Sequence, residues 1–149
     1  MFIRKASIYD APALTELALR SKRSWGYDDL FIARIMGDMV VRPDYLSREH
    51  GLVAEEHGSI LGYAILRTES DQAVLRDLFI EPAYFNRGIG TKLFAACVEI
   101  ARKNEMPKMT LESDPNATEF YERMGMRQTG FVPSNGGNGR NLPVMEMKL

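Results

Sequence analysis

The sequence predicts a single α+β domain built as a mixed sheet with helices packed on it. Three observations lead there. Strand-like and helix-like periods alternate along the whole chain in the order β-α-α-β-β-β-α-β-α-β-β. No internal repeat, low-complexity block or linker divides the 149 residues, a length that suits one domain with a continuous core. The composition, 45% hydrophobic and 26% charged, is that of an ordinary globular protein.

The elements follow in order. Phe2 to Ile8 alternates loosely and reads as a strand. Asp10-Ala11-Pro12 suits a helix start, because proline is tolerated where no amide donor is needed. Leu14, Leu17 and Ala18 then recur at helical spacing, to about Arg20 or Arg23. After SWGYDD, Asp28 or Asp29 caps a second helix carrying Leu30, Ile32, Ile35, Met36 and Met39, which Pro43 ends. GLVAEE and SILGYAILRT are strands joined at His57-Gly58, a tight hairpin signal. QAVLRDLFI is a third strand of this run, stopping at Glu81-Pro82. Ile89 to Lys103 is an amphipathic helix with Ile89, Leu93, Ala96, Cys97 and Ile100 on one face. MPKMTLES is a strand, Asp114-Pro115 opens a short helix, and Gly125 stops it. MRQTGFV and LPVMEMKL close the chain as strands around a Gly/Asn-rich loop at 135–140.

Charge and residue counts exclude several function classes. With 19 Lys and Arg against 20 Asp and Glu, the net charge of −1 argues against a nucleic-acid binder with a broad basic face. One cysteine, Cys97, excludes an internal disulfide and a multi-cysteine zinc site. It fits a reducing compartment, and the cytoplasm is the expected location. Two histidines, His50 and His57, are too few for a histidine-rich metal centre, so no metal is expected. The apolar stretches are short, MFIRKASIY is charged at its fourth residue, and no signal-like apolar region follows it. Neither membrane nor nucleic acid is an expected partner.

The segment LFIEPAYFNRGIGTKLFAACVEI carries the chemistry. A strand enters a loop, and Arg87-Gly88-Ile89-Gly90-Thr91 opens the amphipathic helix. Glycine at 88 and 90 lets the backbone approach another group closely. The first amides of a helix point outward unpaired, and its dipole favours an anion there. Arg87 adds donors matched to phosphate oxygens. No acidic residue lies between Glu81 and Glu99, so Arg87 and Lys92 are not locally neutralised. A pyrophosphate is the natural guest. A plain turn before a helix accounts for the same two glycines, and the segment is neither a P-loop nor a dinucleotide fingerprint.

A second motif decides between these readings. Phe85-Asn86-Arg87-Gly88-Ile89-Gly90 resembles the Gln/Arg-x-x-Gly-x-Gly/Ala cofactor motif of the GCN5-related N-acetyltransferases, the GNAT superfamily. Asn116-Ala117-Thr118-Glu119-Phe120-Tyr121-Glu122-Arg123-Met124-Gly125 is similar to that family's later Asn followed by an aromatic-rich helix. The order of elements is similar too. Phe85 departs from the motif, which usually has Gln or Arg there. The resemblance implies a GNAT-like fold with a mostly antiparallel, splayed sheet, and a single N-acetyltransferase domain over residues 1–149. It implies acetyl-CoA, or another acyl-CoA, as cosubstrate. The pantetheine arm would pair with the strand at Leu78, Phe79 and Ile80, and the pyrophosphate would lie over Arg87, Gly88, Ile89, Gly90 and Thr91. Asn116 would bond the pantetheine arm, and Tyr121 would stand near the sulfur.

A thioester is already activated, so an amine attacks it directly once positioned and deprotonated, provided the leaving thiolate receives a proton. Tyr121 is the candidate acid, although it also reads as half of a Phe120-Tyr121 core pair. The base is open among Asp77, Glu112 and Glu81. Strand alternation puts Asp77 and Glu81 on one face with Phe79 between them, and carboxylates on strands are commonly solvated or paired. On the acceptor side, Trp25 and Tyr27 offer flat apolar contact with a polar tip, although Trp25 also reads as a core anchor between helices. Arg140 reads as solvated or as a contact for a substrate carboxylate. Cys97, on the apolar helix face, reads as packing. The expected partner is a small-molecule or peptide amine, with a homodimer through the apolar strand LPVMEMKL conceivable. The competing readings are a non-catalytic acyl-CoA-binding module and a purely structural domain.

Overall fold

The computed structural model describes residues 1–134, 136 and 139–149. Of the expected Gly/Asn-rich loop, 135, 137 and 138 therefore lie outside the described residues. The elements are β1 (Phe2–Lys5), α1 (Ala11–Arg23), α2 (Asp29–Met39), α3 (Pro43–Arg48), β2 (His50–Glu56), β3 (Ser59–Thr68), β4 (Ala73–Ile80), α4 (Ile89–Lys103), β5 (Lys108–Glu112), α5 (Thr118–Arg123), β6 (Arg127–Pro133) and β7 (Asn141–Lys148). The seven strands form one sheet in the order β1-β2-β3-β4-β5-β7-β6. Every neighbouring pair is antiparallel except β4 and β5. This is the α+β GNAT-like fold that the sequence predicts.

Two local expectations, at Pro43 and at Ile8, need correction. Pro43 does not end the second helix but begins α3, since proline suits a first helical turn. Helix α2 already stops at Met39, where Val40 turns extended and the Val41 amide donates to Thr15 Oγ1 at 2.8 Å. Ile8 is not in a strand. The Ser7 side chain accepts from the Tyr9 amide, and the Asp10 carboxylate accepts from the Ser7 amide at 2.7 Å. This capping box turns Ile8–Asp10 into a short 3-10 helix. The Asp10 carboxylate is committed to it and to Arg4 at 2.9 Å, and makes no cap bond to α1. The C-terminal strand β7 lies between β5 and β6, so both its edges are paired and the free edges of the sheet are β1 and β6.

Other elements match closely. Asp28 caps α2 through the Phe31 amide at 2.8 Å, and His57-Gly58 joins β2 to β3 with positive φ at both residues. Each face of the sheet carries its own apolar cluster. Helix α4 lays Leu93, Phe94, Cys97, Val98 and Ala101 onto Ala64, Leu66, Leu75, Met109 and Met145. On the other face, Leu14, Leu17, Ile32, Ile35 and Leu46 pack with Val53, Tyr63 and Ile65. Burial pushes the Cys97 thiol up to about 12, so it is neutral and packs.

One irregularity positions the site. Strands β4 and β5 pair in parallel only at Ala73 with Met109 and Val74 with Thr110. Beyond that the two strands part and the sheet splays. A bulge at Arg76 in β4, opposite Ile65 and Leu66, accompanies the divergence. It switches faces: Leu75 packs toward α4, whereas Asp77 and Phe79 turn to the α1 face against Tyr63.

Candidate active site

The gap between β4 and β5 opens into a cleft of about 720 Å³. Its β4 wall has unpaired backbone. Glu81 N donates to Leu61 O at 2.8 Å, which sets the phase of the ladder with β3. Backbone groups of Asp77 and Phe79 therefore turn to β3, and those of Leu78 and Ile80 turn to the gap. The expected trio thus divides: Leu78 and Ile80 offer free amides and carbonyls, and Phe79 contributes its place in the wall.

The start of α4 closes one end of the cleft. Gly88 is its N-cap at φ +79°, with open space where a side chain would stand. No side chain caps this end, so the amides of Ile89, Gly90 and Thr91 have no partner within the helix. Ile89 buries its side chain in the core and leaves only its backbone at the surface. The Cβ position of Gly90 lies 3.4 Å from the Phe120 ring, so the helix start sits directly on α5. Arg87 is exposed, with its guanidinium 5.1 Å from the centre of the Tyr84 ring. Phe85, at the motif position that departs from Gln or Arg, is 37% exposed and lines the cleft.

The opposite wall comes from β5, the turn after it and α5. Tyr121 lines the cleft while its ring packs on Phe120 and Phe94, with centroids 5.2 and 6.2 Å away. Its hydroxyl makes no hydrogen bond among the described residues. Burial, then the charge of Asp77, raises its pKa well above that of a free tyrosine, so it stays protonated at neutral pH. Glu112 is exposed and lines the cleft.

The other two carboxylates stand elsewhere. Asp77 is buried on the α1 face, where its Oδ2 accepts from Tyr63 at 3.0 Å. Burial pushes its carboxyl up to about 6, against the opposing influence of Arg76 and the Tyr63 hydrogen bond. Glu81 is held by a two-pronged contact from Arg20, at 2.9 and 2.7 Å.

On the acceptor side, Trp25 is not a core anchor: it is 47% exposed and lines the cleft, because it follows the last turn of α1 at a chain reversal. Tyr27 is half-buried and stacks on Phe31 at 4.2 Å. Its hydroxyl belongs to a polar cluster around Asp114. That carboxylate accepts from Lys22 Nζ at 2.6 Å, Tyr27 at 3.0 Å, and the Asn116 amide at 2.8 Å. Arg140 is not solvated; it donates to Tyr27 at 2.6 Å and lies over the Tyr27 and Phe31 rings. Burial works against the Asp114 charge, but Lys22 and the hydrogen bonds outweigh it and hold the carboxyl below its usual range.

Sequence reasoning missed Asp114, Lys22 and Arg140 as a unit. Asp114 reads correctly as a cap, but its partners Lys22 and Tyr27 lie 92 and 87 residues away, and no local pattern joins them.

A splayed sheet with a glycine-rich helix start at its mouth defines an acyl-CoA-binding architecture of the GNAT type. The chain belongs to the Acetyltransferase (GNAT) family, whose model matches residues 12–126. It is 30% identical over 101 residues to a Bacillus subtilis (strain 168) protein named provisionally as a ribosomal protein bS18-alanine N-acetyltransferase. The match covers 64% of this chain and 66% of that protein, just under two thirds of its length. Over 77 residues it is 32% identical to a glucosamine 6-phosphate N-acetyltransferase of Trypanosoma brucei brucei, covering 47% of this chain and 52% of that enzyme. The fold matches that of a PaiA N-acetyltransferase from Thermoplasma acidophilum solved with coenzyme A. Its TM-score is 0.83 at 21% identity, over 99% of this chain and 98% of the other. Among the described residues, no helix is long and apolar enough to cross a membrane.

Proposed function

We propose that the protein transfers an acetyl group from acetyl-CoA to a primary amine. The observation that carries this is the gap between β4 and β5, with its free backbone edge and the uncapped start of α4 at its mouth. The residues present fit the cosubstrate. An extended amide-bearing arm pairs with the backbone of Leu78 and Ile80 as an added strand would. Phosphates meet the amides of Ile89, Gly90 and Thr91, with Arg87 beside them and Gly88 leaving the approach open. The amides supply the contacts that the Phe85 side chain does not. Asn116 stands at the cleft wall, where it would bond the pantetheine arm.

Acetyl-CoA supplies a carbonyl already activated as a thioester. The chain's own residues hold the amine against it and handle two protons. Tyr121, neutral and in the wall of the cleft, donates to the leaving sulfur. Of the candidates Asp77, Glu81 and Glu112, Glu112 alone lines the cleft, so it takes the amine proton directly or through a water. Asp77 is bonded to Tyr63 on the α1 face and does not line the cleft. Trp25 gives the acceptor a flat apolar contact at the outer end. Relatives named for an alanine of ribosomal protein bS18 and for glucosamine 6-phosphate differ in acceptor, so family membership alone does not choose one.

The test is calorimetric titration with CoA, followed by acetyl transfer to a panel of polyamines, aminoglycosides, amino acids, peptide N-termini and peptide lysines. Free thiol released with one amine class supports the transferase. Tight CoA binding without thiol release for any amine favours an acyl-CoA-binding module. Absence of CoA binding overturns both.

A further inference from the structure

The polar cluster at the acceptor end has a specific effect on Asn116. Asp114 stands in the turn after β5, with only 10% of its side chain exposed, and its two oxygens serve donors from four separate segments. Lys22 comes from the last turn of α1, Tyr27 from the α1–α2 connection, Asn116 from the turn before α5, and Arg140 from the position just before β7. A carboxylate has about four lone-pair sites, so this one is saturated and free neither to take a proton nor to bind a ligand.

The Tyr27 hydroxyl is equally committed. It donates to Asp114 and accepts from Arg140 at 2.6 Å and from Asn116 Nδ2 at 3.1 Å. Asn116 Nδ2 also donates to Asp114 Oδ1 at 3.0 Å. Both protons of the side-chain amide are therefore used inside the protein. The reverse amide orientation would set its carbonyl oxygen against the Asp114 carboxylate, two acceptors at hydrogen-bond distance, which is repulsive. Only the Asn116 carbonyl oxygen remains for a ligand.

We propose that Asp114 and Tyr27 are positioning residues that lock Asn116 in one amide orientation, so that it meets the pantetheine arm purely as an acceptor for an amide N–H. This rests on the reading of the cleft as an acetyl-CoA site. Lys22 and Arg140 complete the lock: one keeps Asp114 ionised, and the other anchors the Tyr27 hydroxyl. Tyr27, on a segment expected to contact the acceptor, thereby serves the cofactor. The α1–α2 connection and the position just before β7 are tied to the cofactor arm through one carboxylate.

The test separates the two ends of coenzyme A. Tyr27→Phe keeps the ring on Phe31 and removes one of the two acceptors that orient Asn116. CoA affinity, read by calorimetry, is expected to fall about tenfold, the scale of one well-placed hydrogen bond. Affinity for adenosine bisphosphate, the nucleotide end without the pantetheine arm, is expected to stay unchanged. Asp114→Asn, which replaces the carboxylate by a group of the same shape, should show the same split. Unchanged CoA affinity in both variants overturns the proposal. So does an equal loss of both ligands, which is what a general structural role would give. Failure of the unsubstituted protein to bind CoA would overturn the cleft reading itself, and is seen before any variant is made.

Discussion

Tyr121 combines a packing role with the proposed role of proton donor. Its ring belongs to the aromatic packing with Phe94 and Phe120, while the residue lines the cleft and its hydroxyl makes no hydrogen bond among the described residues. Tyr121→Phe keeps the packing and removes only the proton donor. Turnover should fall by roughly two orders of magnitude, the usual worth of a positioned general acid, with CoA affinity nearly intact. Single-turnover kinetics beside a binding titration check this, and equal turnover would remove Tyr121 from the mechanism. At this scale the sequence was legible where placement depends on a motif with local spacing: Asn116, Tyr121 and the glycines of RGIG all line the cleft. It was illegible where function depends on which charges meet. Arg140 and Asp114 are 26 residues apart, and Lys22 is on another element. Arg20 and Glu81 likewise meet across 61 residues, in a pairing with no local signal.

Among elements, the start of α4 matters most. Gly88 adopts a left-handed conformation that a β-branched residue disfavours, and the space beside it is open. Gly88→Val therefore adds strain of about 1–2 kcal/mol and places an isopropyl group where, on the proposed reading, a phosphate would approach the amides. Thermal unfolding should show a modest loss, and calorimetry a fall in CoA affinity of at least about tenfold. Normal affinity would move the phosphates away from α4. The boundaries of α4, Ile89–Lys103, match the expectation, because a long amphipathic period and glycines at its start are local information. Helix α3 was missed because proline both ends and begins helices, and its six residues are too few to show a period. The switch of faces at Arg76 was missed as well, since a bulge leaves no periodic mark beyond one extra residue.

For the molecule as a whole, Asp77 carries a stability penalty that depends on pH. Its folded carboxyl is pushed from 3.8 to about 6 by burial. Below both values it is protonated in folded and unfolded chains alike, and the penalty is absent. As pH rises through that interval the unfolded chain ionises first, so the contribution of this group to stability is lost by the time pH passes about 6. Asp10 and Asp114, whose values are lowered, act in the opposite direction and lose stability on acidification. The difference between wild type and Asp77→Asn isolates the one group. Asn keeps an acceptor for Tyr63, so the variant should match wild type below pH 4 and be more stable above pH 6, by on the order of 1–3 kcal/mol. Chemical denaturation at both ends of the range measures it, and a constant difference across pH would show that the Asp77 shift does not govern stability.

The sequence by itself determined the elements that periodicity and turn chemistry write locally: seven strands, the helix after RGIG, the hairpin at His57-Gly58 and the two motifs of the family. It also determined the local charge balance, an acid-free window around Arg87 and Lys92 within a nearly neutral chain. The tertiary structure alone decided where β4 leaves β5, which backbone groups then face the gap, and which side chains gather at Asp114. Those features arise from contacts between residues far apart in the chain, and a pairwise meeting of distant groups has no period or spacing by which a sequence could announce it.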